Sequence, residues 1–67
     1  MSQIYLGIIG GGQLGSMLSA AAKKINIKTI VYCDDINAPA QNFCDEFIFG
    51  KYDDKKKILE FANKVNL

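Results

Sequence analysis

Three glycines carry the strongest chemical signal in this chain. Gly10, Gly12 and Gly15 form a G-x-G-x-x-G set directly after the apolar run Ile4-Tyr5-Leu6-Gly7-Ile8-Ile9. Between a strand and a helix, such a set is the fingerprint of a loop that holds a dinucleotide or a phosphate. The three glycines serve different ends. Gly10 permits a sharp turn, Gly12 lets a ligand approach the backbone, and Gly15 lets helix and strand pack closely. Amides from about Gly12 to Gly15 then point out of the helix N-terminus, where the dipole favours an anion without any basic side chain. The same residues also suit a tight strand-to-helix turn with no ligand. On spacing alone both readings stand open.

Other chemistry is thinner. A nicotinamide-dinucleotide site needs an acid at the end of the second strand to hold ribose hydroxyls. Asp34 and Asp35 lie 19 and 20 residues after Gly15, so spacing allows it, but Cys33 is the residue expected to close that strand. Aspartate is equally at home in an ordinary turn. The chain has no histidine, which removes Ser/His and Cys/His catalysis and His-ligated zinc from its repertoire. Cys33 and Cys44 stand eleven apart without a C-x-x-C pair, so neither a metal nor a redox motif is implied. No residue is expected to be catalytic or metal-binding.

Charge points to no polyanionic partner. Eight basic residues, all lysine, against seven acids leave a net charge of +1, whereas nucleic-acid binding usually shows a basic stripe rich in arginine. The run Lys55-Lys56-Lys57, preceded by Asp53-Asp54, reads as a solvated helix face. No apolar run approaches the ~20 residues of a membrane span, and no secretory n-region or h-region is visible. The expectation is a cytoplasmic protein with reduced thiols, no nucleic-acid partner and no membrane partner.

The elements that must position the glycine loop follow from periodicity. Ile4 to Ile9 suits a strand buried on both faces of a parallel sheet. Leu14, Met17, Leu18, Ala21, Ala22 and Ile25 then fall on one face of a helix, predicting that this face meets the core, with Ser16, Ser19, Lys23 and Lys24 mostly elsewhere. Asn26 is the expected stop. Thr29 to Cys33, rich in β-branched and aromatic residues, reads as a second strand. Ala38 to Asn42 opens a short helix with Pro39 in its first turn, and Cys44 packs nearby as a small hydrophobe. Glu46 to Phe49 forms a third strand. Asp53 is the expected N-cap of a last helix whose apolar face is Ile58, Phe61, Ala62 and Val65.

The order β-α-β-(α)-β-α implies an α/β fold: an incomplete Rossmann-like parallel sheet with right-handed crossovers. At 67 residues the chain is about half of a typical domain, and burying only about 60% of its unfolded surface makes it marginally stable. A further strand would be expected after Val65-Asn66-Leu67. Without it the first strand, normally central, has an unpaired outer edge that invites self-association.

Several segments carry a resemblance. Gly7-Ile8-Ile9-Gly10-Gly11-Gly12-Gln13-Leu14-Gly15, Met17-Leu18, Ala20-Ala21-Ala22-Lys23-Lys24, Asn37-Ala38-Pro39-Ala40, Asp45-Glu46 and Gly50-Lys51-Tyr52-Asp53-Asp54 together resemble the N-terminus of the 5-(carboxyamino)imidazole ribonucleotide synthases. These are the ATP-grasp ligases of purine biosynthesis. The resemblance implies that residues 1–67 are part of a pre-ATP-grasp domain, with the ATP-grasp and C-terminal domains absent. It implies ATP and Mg²⁺ for the full-length family, held by those later domains, and no cofactor in this chain. It also implies a small-molecule ribonucleotide facing Gly11, Gly12, Gln13, Leu14 and Gly15, and a chain that is inactive alone. The chain would pair with the missing domains or form a homo-oligomer. Two residues depart from the pattern: Ser16 stands where the family commonly has arginine, and Cys33 where many members have aspartate. The alternatives are an NAD(P)-binding fragment of an oxidoreductase and a non-enzymatic interaction module.

Overall fold

A computed structural model describes residues 3–67. Strand β1 (Tyr5–Ile9) leads to helix α1 (Gln13–Lys24), strand β2 (Lys28–Cys33), a 3₁₀ turn (Pro39–Asn42), strand β3 (Glu46–Phe49) and helix α2 (Lys55–Asn63). The strands form one sheet in the order β1-β2-β3, and both pairs are parallel. The register sets Ile8 beside Val31 and Val31 beside Phe47. This is the α/β arrangement expected from the alternating periods.

β2 is the central strand, and its residues Thr29 to Cys33 are all buried. Alternation along the strands divides the core into two layers. On one face Ile8, Val31 and Cys33 pack with Ala38 and Ala40, with Leu6, Cys44 and Phe47 around them. On the other, Ile30, Tyr32 and Phe61 form a cluster edged by Tyr5, Ile48, Ile58 and Val65. Gly7 admits α2 to this second face, because a Cβ there would come within 2.9 Å of the Phe61 ring and 3.0 Å of Val65.

Helix α1 turns a different face inward from the one its apolar residues mark. Gly15, Ser19 and Ala22 are its buried residues, whereas Leu14 is 69% and Met17 60% exposed. Small side chains line the inner stripe because the helix lies close against the strand-turn. The Ser19 hydroxyl settles its burial by donating to the Gly15 carbonyl at 2.9 Å. Asn26, at φ 62°, ends the helix as expected. Pro39 occupies the first turn of the 3₁₀ segment.

Two expectations about α2 need correction. Its N-cap is Asp54, whose carboxylate accepts from the Lys57 amide at 3.1 Å. Asp53 is taken up in the preceding turn, which the Asp54 amide closes onto the Lys51 carbonyl at 3.2 Å. Ala62 is exposed; Phe61, Ile58 and Val65 carry the contact with the sheet.

The outer edge of β1 is also not fully open. The Asn66 amide donates to the Tyr5 carbonyl at 2.8 Å, and the Gly7 amide donates to the Leu67 carbonyl at 2.8 Å. The last two residues therefore cover the first half of that edge.

Candidate functional site

The glycine loop lies at the C-terminal ends of β1 and β2, where open α/β sheets place their ligands. Gly10 has φ +106°, a conformation that L side chains rarely adopt, and its amide donates to the Tyr32 carbonyl at 2.8 Å. A Cβ on Gly15 would sit 2.6 Å from the Gly10 carbonyl oxygen, so the first turn of α1 rests directly on the bend. A Cβ on Gly12 would meet nothing within 4 Å. The structure thus distributes turn, open approach and close packing among Gly10, Gly12 and Gly15 as their spacing predicts.

Gly12 is the N-cap of α1 and provides no side-chain cap. The first main-chain bond at this end runs from the Ser16 amide to the Gly12 carbonyl at 3.0 Å. The amides of Gln13, Leu14 and Gly15 precede it and have no helical carbonyl to bond. No acidic side chain stands in the first turn, so the positive end of the helix dipole is not neutralised from within. Beside it lies an open depression of about 320 Å³ lined by Gly10, Gly12, Gln13, Leu14 and Gly15, with Ile8, Ile9 and Leu18 as its apolar walls.

Of the five residues expected to face a ligand, Gly12, Gln13, Leu14 and Gly15 come together around this depression. Gly11 is turned away. A Cβ there would press on the Ala38 methyl at 2.7 Å and on the Cys33 sulfur at 3.0 Å, and its carbonyl accepts from the Ala40 amide. Gly11 therefore locks the loop against the 3₁₀ turn.

Cys33 and Tyr52 meet beside the glycine bend. The Tyr52 hydroxyl donates to the Cys33 sulfur at 3.6 Å, and that bond, followed by burial, raises the tyrosine pKa. The same hydroxyl lies 4.0 Å from where a Cβ on Gly10 would be, which brings Tyr52 to the rim of the loop. Its ring rests against Tyr32, with centroids 6.2 Å apart. Tyr32 is anchored in turn by a hydrogen bond to the Lys51 carbonyl at 2.6 Å. Only the Gly50-Lys51-Tyr52-Asp53-Asp54 resemblance singled out this segment; nothing in its local pattern places it beside a loop 40 residues earlier.

Asp35, just after β2, has other employment. Asp35 accepts the Asn37 amide at 2.9 Å through its side chain and the Ala38 amide through its carbonyl, so it builds the turn. Among the described residues no group of three His, Cys, Asp or Glu converges as a metal site. No helix of the described residues is long and apolar enough to cross a membrane.

Comparison with known proteins decides the family. The model of the ribonucleotide synthetase preATP-grasp domain matches residues 1–67. The chain belongs to the ribonucleotide synthetase pre-ATP-grasp family. It is 44% identical over 69 residues to a phosphoribosylaminoimidazole carboxylase of Ogataea methanolica, covering 100% of this chain and 13% of that protein. It is 39% identical to the N5-carboxyaminoimidazole ribonucleotide synthase of Staphylococcus aureus strain COL, covering 92% of this chain and 17% of the synthase. Among solved structures, the Thermotoga maritima N5-carboxyaminoimidazole ribonucleotide synthetase superposes with a TM-score of 0.92 at 34% identity, over 97% of this chain and 18% of that one. The Staphylococcus aureus N5-carboxyaminoimidazole synthetase, solved in complex with ADP, gives 0.89 at 36% identity, over 96% and 18%. This pre-ATP-grasp chain therefore spans less than a fifth of the relatives it matches.

Proposed function

We propose that this chain supplies the glycine-rich loop that faces the phosphate of the ribonucleotide in an ATP-dependent N5-carboxyaminoimidazole ribonucleotide synthase of purine biosynthesis. The loop binds through main-chain amides. Gln13, Leu14 and Gly15 offer N–H groups at the positive end of α1, and Gly12 keeps the approach open. The observation that carries this reading is the pairing of an uncapped helix start with an unobstructed Gly12. Together they leave an open approach where the dipole is most favourable. Leu14 and the apolar wall of Ile8, Ile9 and Leu18 favour a ligand with an uncharged body behind its phosphate.

ATP and its metal belong, on this reading, to the parts of the synthase beyond this region. The chain corresponds to 13–18% of the relatives' length. Alone, the chain has no ligase activity.

Titration of the ¹⁵N-labelled chain with ribose 5-phosphate tests the loop. Amide shifts are expected at Gly12, Gln13, Leu14 and Gly15, and a spectrum in which none of these moves would overturn the assignment. Incubation with ATP, aminoimidazole ribonucleotide and bicarbonate should give no turnover; robust turnover would refute the inactivity.

A further inference from the structure

Beside the glycine bend stands a hydroxyl that the fold holds firmly and bonds weakly. The segment that carries Tyr52 is pinned on both sides. The Gly50 amide donates to the Cys33 carbonyl at 3.0 Å, and the Asp54 amide to the Lys51 carbonyl at 3.2 Å. The Lys51 carbonyl also accepts the Tyr32 hydroxyl at 2.6 Å, and the Lys57 ammonium donates to the Phe49 carbonyl at 2.8 Å. A Cβ on Gly50 would come within 2.8 Å of the Tyr32 Cζ, so the segment lies tight against β2. From this base the Tyr52 ring leans on Tyr32 and carries its hydroxyl to Cys33, the last residue of β2, and to Gly10.

Packing alone does not call for that hydroxyl. The ring contact with Tyr32 would serve equally with phenylalanine, and Tyr52 is 45% exposed. Among the described residues its hydroxyl donates to the Cys33 sulfur at 3.6 Å, and sulfur is a weak acceptor. A ligand oxygen would take that proton in its place at little cost. In dinucleotide sites of open α/β sheets, an acid at the end of the second strand holds the ribose hydroxyls. Here Cys33 ends that strand, and Asp35 is committed to its own turn. Tyr52 brings to the same point a group that both donates and accepts. Gly10 and Gly12 are two residues apart, so at most about 7 Å separates the Tyr52 side of the bend from its open approach. A pentose phosphate reaches that far.

We propose that Tyr52 is the sugar-recognising residue of the site: its hydroxyl leaves the Cys33 sulfur to bond a ribose hydroxyl, while the main-chain amides of the loop hold the phosphate. This role rests on phosphate binding by the loop, and it adds what separates a sugar phosphate from a bare anion there. Because the Gly50–Asp54 segment is already pinned, little freedom is lost when the bond forms.

The test compares inorganic phosphate with ribose 5-phosphate on the 67-residue chain, labelled with ¹⁵N and with ¹³C at the tyrosine Cζ. Both ligands should move the amides from Gly12 to Gly15, and only ribose 5-phosphate should move the Tyr52 Cζ resonance. Tyr52→Phe should weaken ribose 5-phosphate about fivefold, the loss of one hydrogen bond, and leave inorganic phosphate unchanged. Loop shifts with a Tyr52 resonance that stays still would overturn the role of Tyr52. So would a variant that weakens both ligands alike, or neither. If neither ligand moves the loop amides, phosphate binding itself is overturned and the sugar contact falls with it. The Cζ measurement uses the wild-type chain, so the outcome does not hang on whether the variant folds.

Discussion

Asn66 brackets the main chain of Tyr5. Its main-chain amide donates to the Tyr5 carbonyl at 2.8 Å, while its side-chain Oδ1 accepts the Tyr5 amide at 2.8 Å. The carboxamide stands where a preceding strand carbonyl would, so one residue satisfies both polar groups of an edge position. Asn66→Ala keeps the first bond and loses the second. The expected cost is about 1 kcal/mol, together with faster hydrogen exchange at Tyr5, measured against an unchanged rate in β2.

Gly15 and Gly12 should respond in opposite ways to added bulk. A methyl at position 15 would run into the Gly10 carbonyl, so Gly15→Ala should destabilise the chain by about 2 kcal/mol or more in urea unfolding. Gly12 has φ −72° and open space beyond it, so Gly12→Leu should leave the unfolding midpoint close to wild type. The same substitution should abolish the amide shifts produced by ribose 5-phosphate, because its side chain occupies the approach.

Thr29 is fully buried at the start of β2, and its Oγ1 has no hydrogen-bond partner. Its main-chain amide is already held by the Asp45 carboxylate at 2.9 Å, which a side-chain change leaves alone. Thr29→Val removes the unsatisfied hydroxyl at nearly constant shape. A gain of about 1 kcal/mol is expected, read as a higher denaturation midpoint.

Alkaline pH should loosen the fold through two tyrosines. Burial raises the Tyr32 pKa, with Asp54 and then Asp53 adding to it. The hydrogen bond to Cys33 raises that of Tyr52, with burial second. The folded chain therefore keeps these protons at a pH where the unfolded chain, with tyrosine near its ordinary value of about 10, has released them. Their contribution is complete below about pH 10 and is lost as pH rises through the higher folded values. Denaturation midpoints should fall above pH 10, and Tyr52→Phe should flatten that decline.

Much of the fold was legible in the residues. Strand β3 was marked at both ends by Glu46 and Phe49, and the three-glycine spacing placed the loop between a strand and a helix, although β1 is buried only at Ile8 and not on both faces. The departures have two causes. Leu14, Met17 and Leu18 carry the apolar signal of α1, yet their face is largely exposed, while Gly15, Ser19 and Ala22 form the contact. Hydrophobic periodicity finds a helix face that avoids water. It does not report how closely a neighbouring backbone approaches, and at close range only small residues fit. Asp53 and Asp54 are both good caps by type. Asp54 is the cap because Asp53 lies inside the Lys51–Asp54 turn, one residue too early to reach the Lys57 amide that Asp54 accepts.

The amino-acid order alone determined the alternation of strands and helices, the glycine bend and the family, because these rest on local sterics and short spacings. Only the tertiary structure decided that Tyr52 meets Cys33 at the rim of that bend, that Gly11 faces inward, and that Asn66 and Leu67 lie along β1. Those contacts join residues 19 to 61 positions apart. Chain folding brings them together through parallel pairing and packing on β2, and no local preference of the residues encodes such a meeting.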